Sequence, residues 1–213
     1  LLLAIATAWA ATPTPKVKPK PKPPLTAEQR AAQSLMRPLK LHDRIAQLVI
    51  GVCYGDALST RSTDYQKFRH WVRDVHIGGL IVNNHSINGV VRTAEPHALG
   101  LFLNQMQKLA RTPLLVGGDF ERGSSMRVNG GTRFPFNMAY GAARDFEGSR
   151  LEGLATAREA RALGFQWIFA PVADVNVNPD NPVIGLRSYG ENPDDVAAHV
   201  VAYIEGAHSD PLN

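Results

Sequence analysis

The chain has 213 residues but only one cysteine, three tryptophans and no apolar stretch longer than about ten residues. The lone Cys53 excludes an internal disulfide and a multi-cysteine zinc site, and its expected place is that of a small buried apolar residue. The short apolar stretch cannot span a bilayer. No Gly-rich dinucleotide fingerprint follows the first predicted strand, where Gly51-Val52-Cys53-Tyr54-Gly55 has the wrong spacing, and no phosphate-binding loop motif occurs. The seven histidines (His42, His70, His76, His85, His97, His199 and His208) form no metal-ligand spacing. Basic charge is scarce on the body of the chain. The formal charge is +4 and the pI near 9.4, but the first forty residues hold seven Lys/Arg against one acid, leaving sixteen against eighteen for the rest. A nucleic-acid partner is therefore not expected, since phosphates need bases on the folded domain.

What is present begins with Leu1-Leu2-Leu3-Ala4-Ile5, an apolar stretch closing on Ala8-Trp9-Ala10. Residues 1–10 read as part of a secretory signal with a small-residue cleavage site. Residues 11–25 alternate Pro and Lys, which predicts a polyproline-like spacer with a reach of roughly 40 Å at about 3.1 Å per residue. Its lysines would associate weakly with an anionic envelope polymer or lipid. These features predict an exported protein, periplasmic or secreted.

From residue 26 a regular alternation takes over. Thr26 and Gln29 have the spacing of a capping box. Apolar runs at 47–54, 80–82, 114–116 and 167–173 read as strands, and the first three end near glycine or polar residues. Between them, Tyr65, Phe68, Val72 and Val75, then Leu99, Phe102, Leu103, Met106 and Leu109, then Leu151, Leu154, Ala155 and Ala162 follow helical spacing. A last helix begins after Pro193 and carries Val196, Val200, Tyr203 and Ile204. Strand then helix, four times in about 170 residues, predicts an α/β fold with a parallel sheet. The pattern alone fits both a doubly wound sheet and an eight-unit barrel. In a barrel the chemistry sits at the C-terminal strand ends, here Asn83-Asn84, Asp119 and Asp174.

Two loops concentrate reactive side chains. Residues 119–127 read DFERGSSMR, and persisting strand geometry would put Asp119 and Glu121 on one side about 6.5–7 Å apart, within the range of a glycosidase carboxylate pair. The structural alternative pairs Glu121 with Arg122 or Arg127. Residues 169–193 read FAPVADVNVNPDNPVIGLRSYGENP, a long connection of the kind that carries function. Its one cation, Arg187, could fork onto vicinal hydroxyls or a carboxylate, or pair with Glu191. Asp174 is expected to form a turn, His85 to be a solvated loop residue, and Trp71 and Trp167 to pack in the core.

These two loops, with the GGLIVNN strand at 78–84 and YIEGAH at 203–208, resemble glycoside hydrolase family 3 in its β-N-acetylglucosaminidase branch over residues 40–208. The Arg-Trp-Gly-Arg turn common in the β-glucosidase branch is missing from the second loop. The resemblance implies a (β/α)8 barrel of the TIM type, with about the first four βα units in this chain, acting on N-acetylglucosamine-containing glycans by a retaining mechanism without metal or cofactor. By position in the family motifs, Asp119 would accept hydrogen bonds from outer sugar hydroxyls, and Arg127 and Arg187 would complete the substrate-binding shell. It replaces the carboxylate-pair reading, making Glu121 something other than the general acid. Arg122 stands where the family commonly has glycine, which leaves the path of that loop and the role of Glu121 open.

The family's Lys-His-Phe-Pro-Gly-His-Gly segment, its mobile loop with a catalytic His and Asp, and its nucleophilic aspartate are expected beyond Asn213. On this reading residues 26–213 are the N-terminal half of the barrel domain, inactive alone and prone to aggregate or dimerise. The alternatives are a β-glucosidase or β-xylosidase of the same family, or a non-catalytic carbohydrate-binding envelope protein.

Overall fold

A computed structural model describes residues 24–56 and 59–211. The leader and nearly all of the spacer lie outside the described residues. The chain divides into two compact units, Leu1–Pro38 and Leu39–Asn213. In the first, helix α1 (Ala27–Met36) starts on the capping box expected from its sequence. The Gln29 amide donates to Thr26 Oγ1 at 3.2 Å, and the Thr26 amide donates to Gln29 Oε1 at 3.0 Å.

The second unit carries the alternation. Helix α2 (Leu41–Ala46) leads into strand β1 (Ile50–Tyr54), helix α3 (Thr63–His70) with a π-helical extension to Val75, and β2 (Gly79–Asn83). A small hairpin, β3 (Ser86–Ile87) and β4 (Val90–Val91), precedes α4 (Pro96–Leu109) and β5 (Leu115–Gly118). Then come α5 (Asn137–Ala143), α6 (Phe146–Ala162), β6 (Trp167–Ile168) and α7 (Pro193–Ala207). The hairpin and α5 were not legible as periodic apolar patterns. The first predicted strand begins three residues late, because Gln47 caps α2 and the turn into β1 is closed by the Leu48 and Val49 amides donating to Ile45 and Ala46. The fourth is two residues long instead of seven, since it pairs with β5 only through Trp167 and Ile168.

The four long-range strands run parallel in the order β1-β2-β5-β6, with the chain advancing in one direction across the sheet. One face carries Cys53, Leu80, Val82 and Val116, which pack in a single core with Phe68 and Val72 after β1, Leu99, Phe102 and Met106 of α4, and Ala160 of α6. The opposite face carries the register row Val52, Ile81, Gly117 and Trp167, of which Val52 and Trp167 are exposed. Helices on one face and strands added in one direction are the arrangement of a barrel wall; a doubly wound sheet reverses its order and covers both faces. The fold is thus of the TIM-barrel type.

Trp71 packs against the core as expected, but Trp167 does not lie within it. Its row belongs to the open face of the sheet, and its ring instead meets Phe169 edge-on at 4.7 Å. Cys53 is completely buried, and burial pushes its thiol up to about 12.

Candidate sugar-binding site

The site grows from the C-terminal ends of β5 and β6. Strand β5 ends at Gly118, and the next three residues alternate sharply in environment. Phe120 is fully buried and meets Phe165 edge-on at 4.9 Å, fixing the loop to the core. Asp119 and Glu121 on either side of it are held outside that core. Gly123 follows at φ +81°, and a Cβ there would lie 2.3 Å from the Thr132 carbonyl oxygen, so no other residue fits this turn without strain.

A short 3-10 turn, Ser124–Met126, then returns the chain to Arg127, whose Nη2 donates to Asp119 Oδ2 at 2.6 Å. Two distant elements fix this return. Buried Asn84, just past β2, donates from Nδ2 to the carbonyl oxygens of Arg92 (2.8 Å) and Arg127 (3.0 Å). Glu159 on α6 accepts from the Ser124 hydroxyl, the Thr132 hydroxyl and, at 3.0 Å, the Thr132 amide. Burial pushes the Glu159 carboxyl up, but those three donors outweigh it and hold it below its ordinary value.

The second loop delivers Arg187 to the same place. Its Nε and Nη2 donate to the two oxygens of Glu121 at 2.7 and 2.6 Å, a bidentate fork, while Nη1 donates to the Val183 carbonyl at 3.0 Å. The Glu121 hydrogen bonds raise the Arg187 guanidinium above its ordinary value against some desolvation, and Glu121, Asp174 and Asp119 add attraction. The loop is stitched by Ser188, buried, whose Oγ donates to the Asp174 carbonyl at 2.6 Å and accepts from the Gly190 amide at 3.1 Å.

Asp119, Arg127 and Arg187 are therefore gathered at neighbouring strand ends, with Asp174 close enough to act on Arg187. The partners differ from expectation. Arg187 pairs with Glu121 and not with Glu191, because the 3-10 turn Gly185–Arg187 sends its side chain back toward β5. Glu121 is likewise not paired with Arg122 or Arg127: it sits opposite Arg187, and Arg122 instead stacks on the Phe136 ring, 4.2 Å from its centroid. Asp119 and Glu121 are thus engaged by different arginines. Asp174, expected in a turn, is in none: its backbone carbonyl accepts from the Ser188 hydroxyl at 2.6 Å, and its charge acts on Arg187. His85 is no solvated loop residue: its Nδ1 lies 3.1 Å from both oxygens of Asp56, and its ring stacks on Tyr54 at 3.9 Å. Glu159 and Ser188 escaped sequence reasoning because their contacts with Thr132 and Asp174 span 27 and 14 residues with no local motif, while Asn84, marked only as a strand-end residue, reaches Arg127 43 residues away. Among the described residues no group of three His, Cys, Asp or Glu could hold a metal ion.

One-directional parallel strands, helices on a single face and paired acid–arginine groups at the strand ends define a barrel-type α/β domain with a polar site at its C-terminal rim. The family model for the glycosyl hydrolase family 3 N terminal domain matches residues 40–212, and the chain belongs to that family. It is 30% identical over 155 residues to a β-N-acetylglucosaminidase/β-glucosidase of Cellulomonas fimi, covering 73% of this chain and 26% of the relative. It is 32% identical over 177 residues to β-hexosaminidase A of Pseudoalteromonas piscicida, covering 80% and 28%. A solved family 3 β-N-acetylglucosaminidase from Paenibacillus sp. str. FPU-7 superposes with a TM-score of 0.67 at 34% identity, covering 80% of this chain and 31% of that one. The chain thus spans roughly a quarter to a third of the length of these proteins.

Proposed function

We propose that the full-length protein is a retaining β-N-acetylhexosaminidase that removes terminal N-acetylglucosamine from peptidoglycan- or chitin-derived glycans, and that these residues form part of its sugar-binding shell. The observation that carries the reading is the two-pair constellation, Asp119–Arg127 and Glu121–Arg187, at the rim of a family 3 barrel domain. Asp119 spends Oδ2 on Arg127 and keeps Oδ1 for a sugar hydroxyl. Arg187 uses three of its five N–H groups on Glu121 and Val183 and keeps two for the same sugar. Glu121 orients that fork, and Arg127 orients Asp119. Pre-set donors and acceptors of this kind bind without reorganising, which favours one sugar pose. The groups that break the bond are expected in the rest of the protein. The apolar start and Lys/Pro spacer support export with weak envelope association.

A second reading has one specific support. The Cellulomonas fimi relative bears both activities in its name, so a β-glucoside could be an additional substrate. Chromogenic N-acetylglucosaminide, glucoside and xyloside substrates test both readings with the full-length protein. The expected outcome is preference for the N-acetylglucosaminide and a fall in kcat/KM of about 100-fold in Asp119→Ala and in Arg187→Ala. Losses below about threefold in both variants would remove the assignment.

A further inference from the structure

An open groove of about 540 Å³ adjoins the Glu121–Arg187 pair, and its walls include Arg122, Arg133, Phe134, Phe136, Met138 and Leu186. The chain itself joins groove and site, since Arg122 follows Glu121 and Leu186 precedes Arg187. The Phe134 amide donates to the Arg122 carbonyl at 3.2 Å, which holds the two limbs of the loop side by side. The Phe134 ring also covers Gly123, where a Cβ would lie 2.9 Å from it. Buried Asn137 anchors the start of α5, and Phe136 before it stays exposed.

The arginines of this groove differ from those of the sugar shell. Arg127 and Arg187 are spent on Asp119 and Glu121. Arg122 and Arg133 have no ion-pair partner among the described residues. Arg122 is nevertheless fixed, with its guanidinium over the Phe136 ring at 4.2 Å from the centroid. A guanidinium held over a ring keeps its in-plane N–H groups for other acceptors. Two uncompensated cations beside apolar Phe136, Met138 and Leu186 suit an anionic group on a sugar body, and a carboxylate matches the guanidinium fork.

We propose that Arg122 and Arg133 form a carboxylate-binding subsite, so that the preferred substrate carries a carboxylate on the residue linked to its N-acetylglucosamine. The inference rests on the neighbouring shell binding N-acetylglucosamine. Of the two glycan classes under that reading, chitin-derived glycans are neutral, whereas peptidoglycan-derived ones carry a lactyl carboxylate on the next sugar. Charge complementarity in the groove selects the second.

The test is kcat/KM of the full-length protein on a matched pair of disaccharides, N-acetylglucosaminyl-β-1,4-N-acetylmuramic acid and di-N-acetylchitobiose, which differ by the lactyl ether on the second ring. The expected result is a preference of at least about tenfold for the acidic member, reduced about threefold or more when NaCl is raised from about 0.05 to about 0.5 M. Arg122→Gln and Arg133→Gln are each expected to cut that preference about threefold or more. Arg133 is exposed, so its variant decides alone if Arg122→Gln fails to fold. Lys108→Gln, which removes an exposed charge from α4, is expected to keep the wild-type ratio. No preference in the wild type, a ratio unchanged in either folded arginine variant, or an equal fall in Lys108→Gln overturns the proposal; an unchanged ratio is also the result if another part of the full-length protein fills the groove. If the wild type cleaves neither disaccharide, the hexosaminidase reading falls and calorimetric binding decides the subsite. N-acetylmuramic acid binding at least about threefold tighter than N-acetylglucosamine, with the difference lost in Arg133→Gln, would then support it, and equal affinities would overturn it.

Discussion

The Glu121–Arg187 pair offers the sharpest quantitative check, because it joins two loops 66 residues apart through two hydrogen bonds of 2.6 and 2.7 Å. The Glu121 side chain is 13% exposed and that of Arg187 36%, so the pair is half screened and neither fully buried nor a surface bridge. Two charge-assisted hydrogen bonds would be worth about 3–6 kcal/mol without screening. Exposure on the Arg187 side and the loss of side-chain freedom reduce this to a coupling of about 1.5–3 kcal/mol. The perturbations are Glu121→Gln, Arg187→Ala and the two together, with unfolding free energy of the full-length protein read by urea denaturation. Glu121→Gln alone is expected to cost about 2 kcal/mol and to lower kcat/KM about tenfold, since a fork without its carboxylate can swing toward Asp119 or Asp174, both of which attract it. Arg187→Ala should cost more in activity, and the double variant no more than Arg187→Ala alone. A coupling energy under about 0.5 kcal/mol would refute the claim that Glu121 positions Arg187.

Three further outcomes follow from the same structure. Gly123→Ala is expected to destabilise by more than about 2 kcal/mol, because its Cβ would meet the Thr132 carbonyl at 2.3 Å, whereas Gly130→Ala, with a similar φ of +74° and open space, should cost only about 1 kcal/mol; equal thermal shifts would contradict this. Glu152 has its folded value raised to about 8 from 4.5, so its neutral form is free of penalty below pH 4.5 and stability falls as pH rises through about 8. The whole loss is up to about 5 kcal/mol, and Glu152→Gln should flatten the unfolding free energy over that window in urea titrations. Cys53 should resist an aromatic disulfide reagent at pH 8 in the native protein and react on denaturation, since it is buried and its thiol is pushed up to about 12; rapid native labelling would place it elsewhere.

The residues that drive local structure were readable in order along the chain. Helical spacing at Leu99, Phe102, Leu103 and Met106 gave α4 because those four side chains share one face and all are buried. The capping box at Thr26 and Gln29 formed because it needs only neighbours three residues apart. Asp119, Arg127 and Arg187 were brought together by the family resemblance of their two loops, and Asp119 also by its place at a strand end, where a barrel keeps its chemistry.

What remained open was settled by contacts between distant segments. Strand pattern could not tell a barrel wall from a doubly wound sheet; the order β1-β2-β5-β6 with helices on one face decided it. Sequence proximity favoured Arg122 or Arg127 for Glu121 and Glu191 for Arg187, but ion pairs follow side-chain direction, and the turn before Arg187 aimed it across to β5. Buried Glu152 on α6 had no sequence signal, because an acid at a helical position reads as solvent-facing until tertiary contacts bury it.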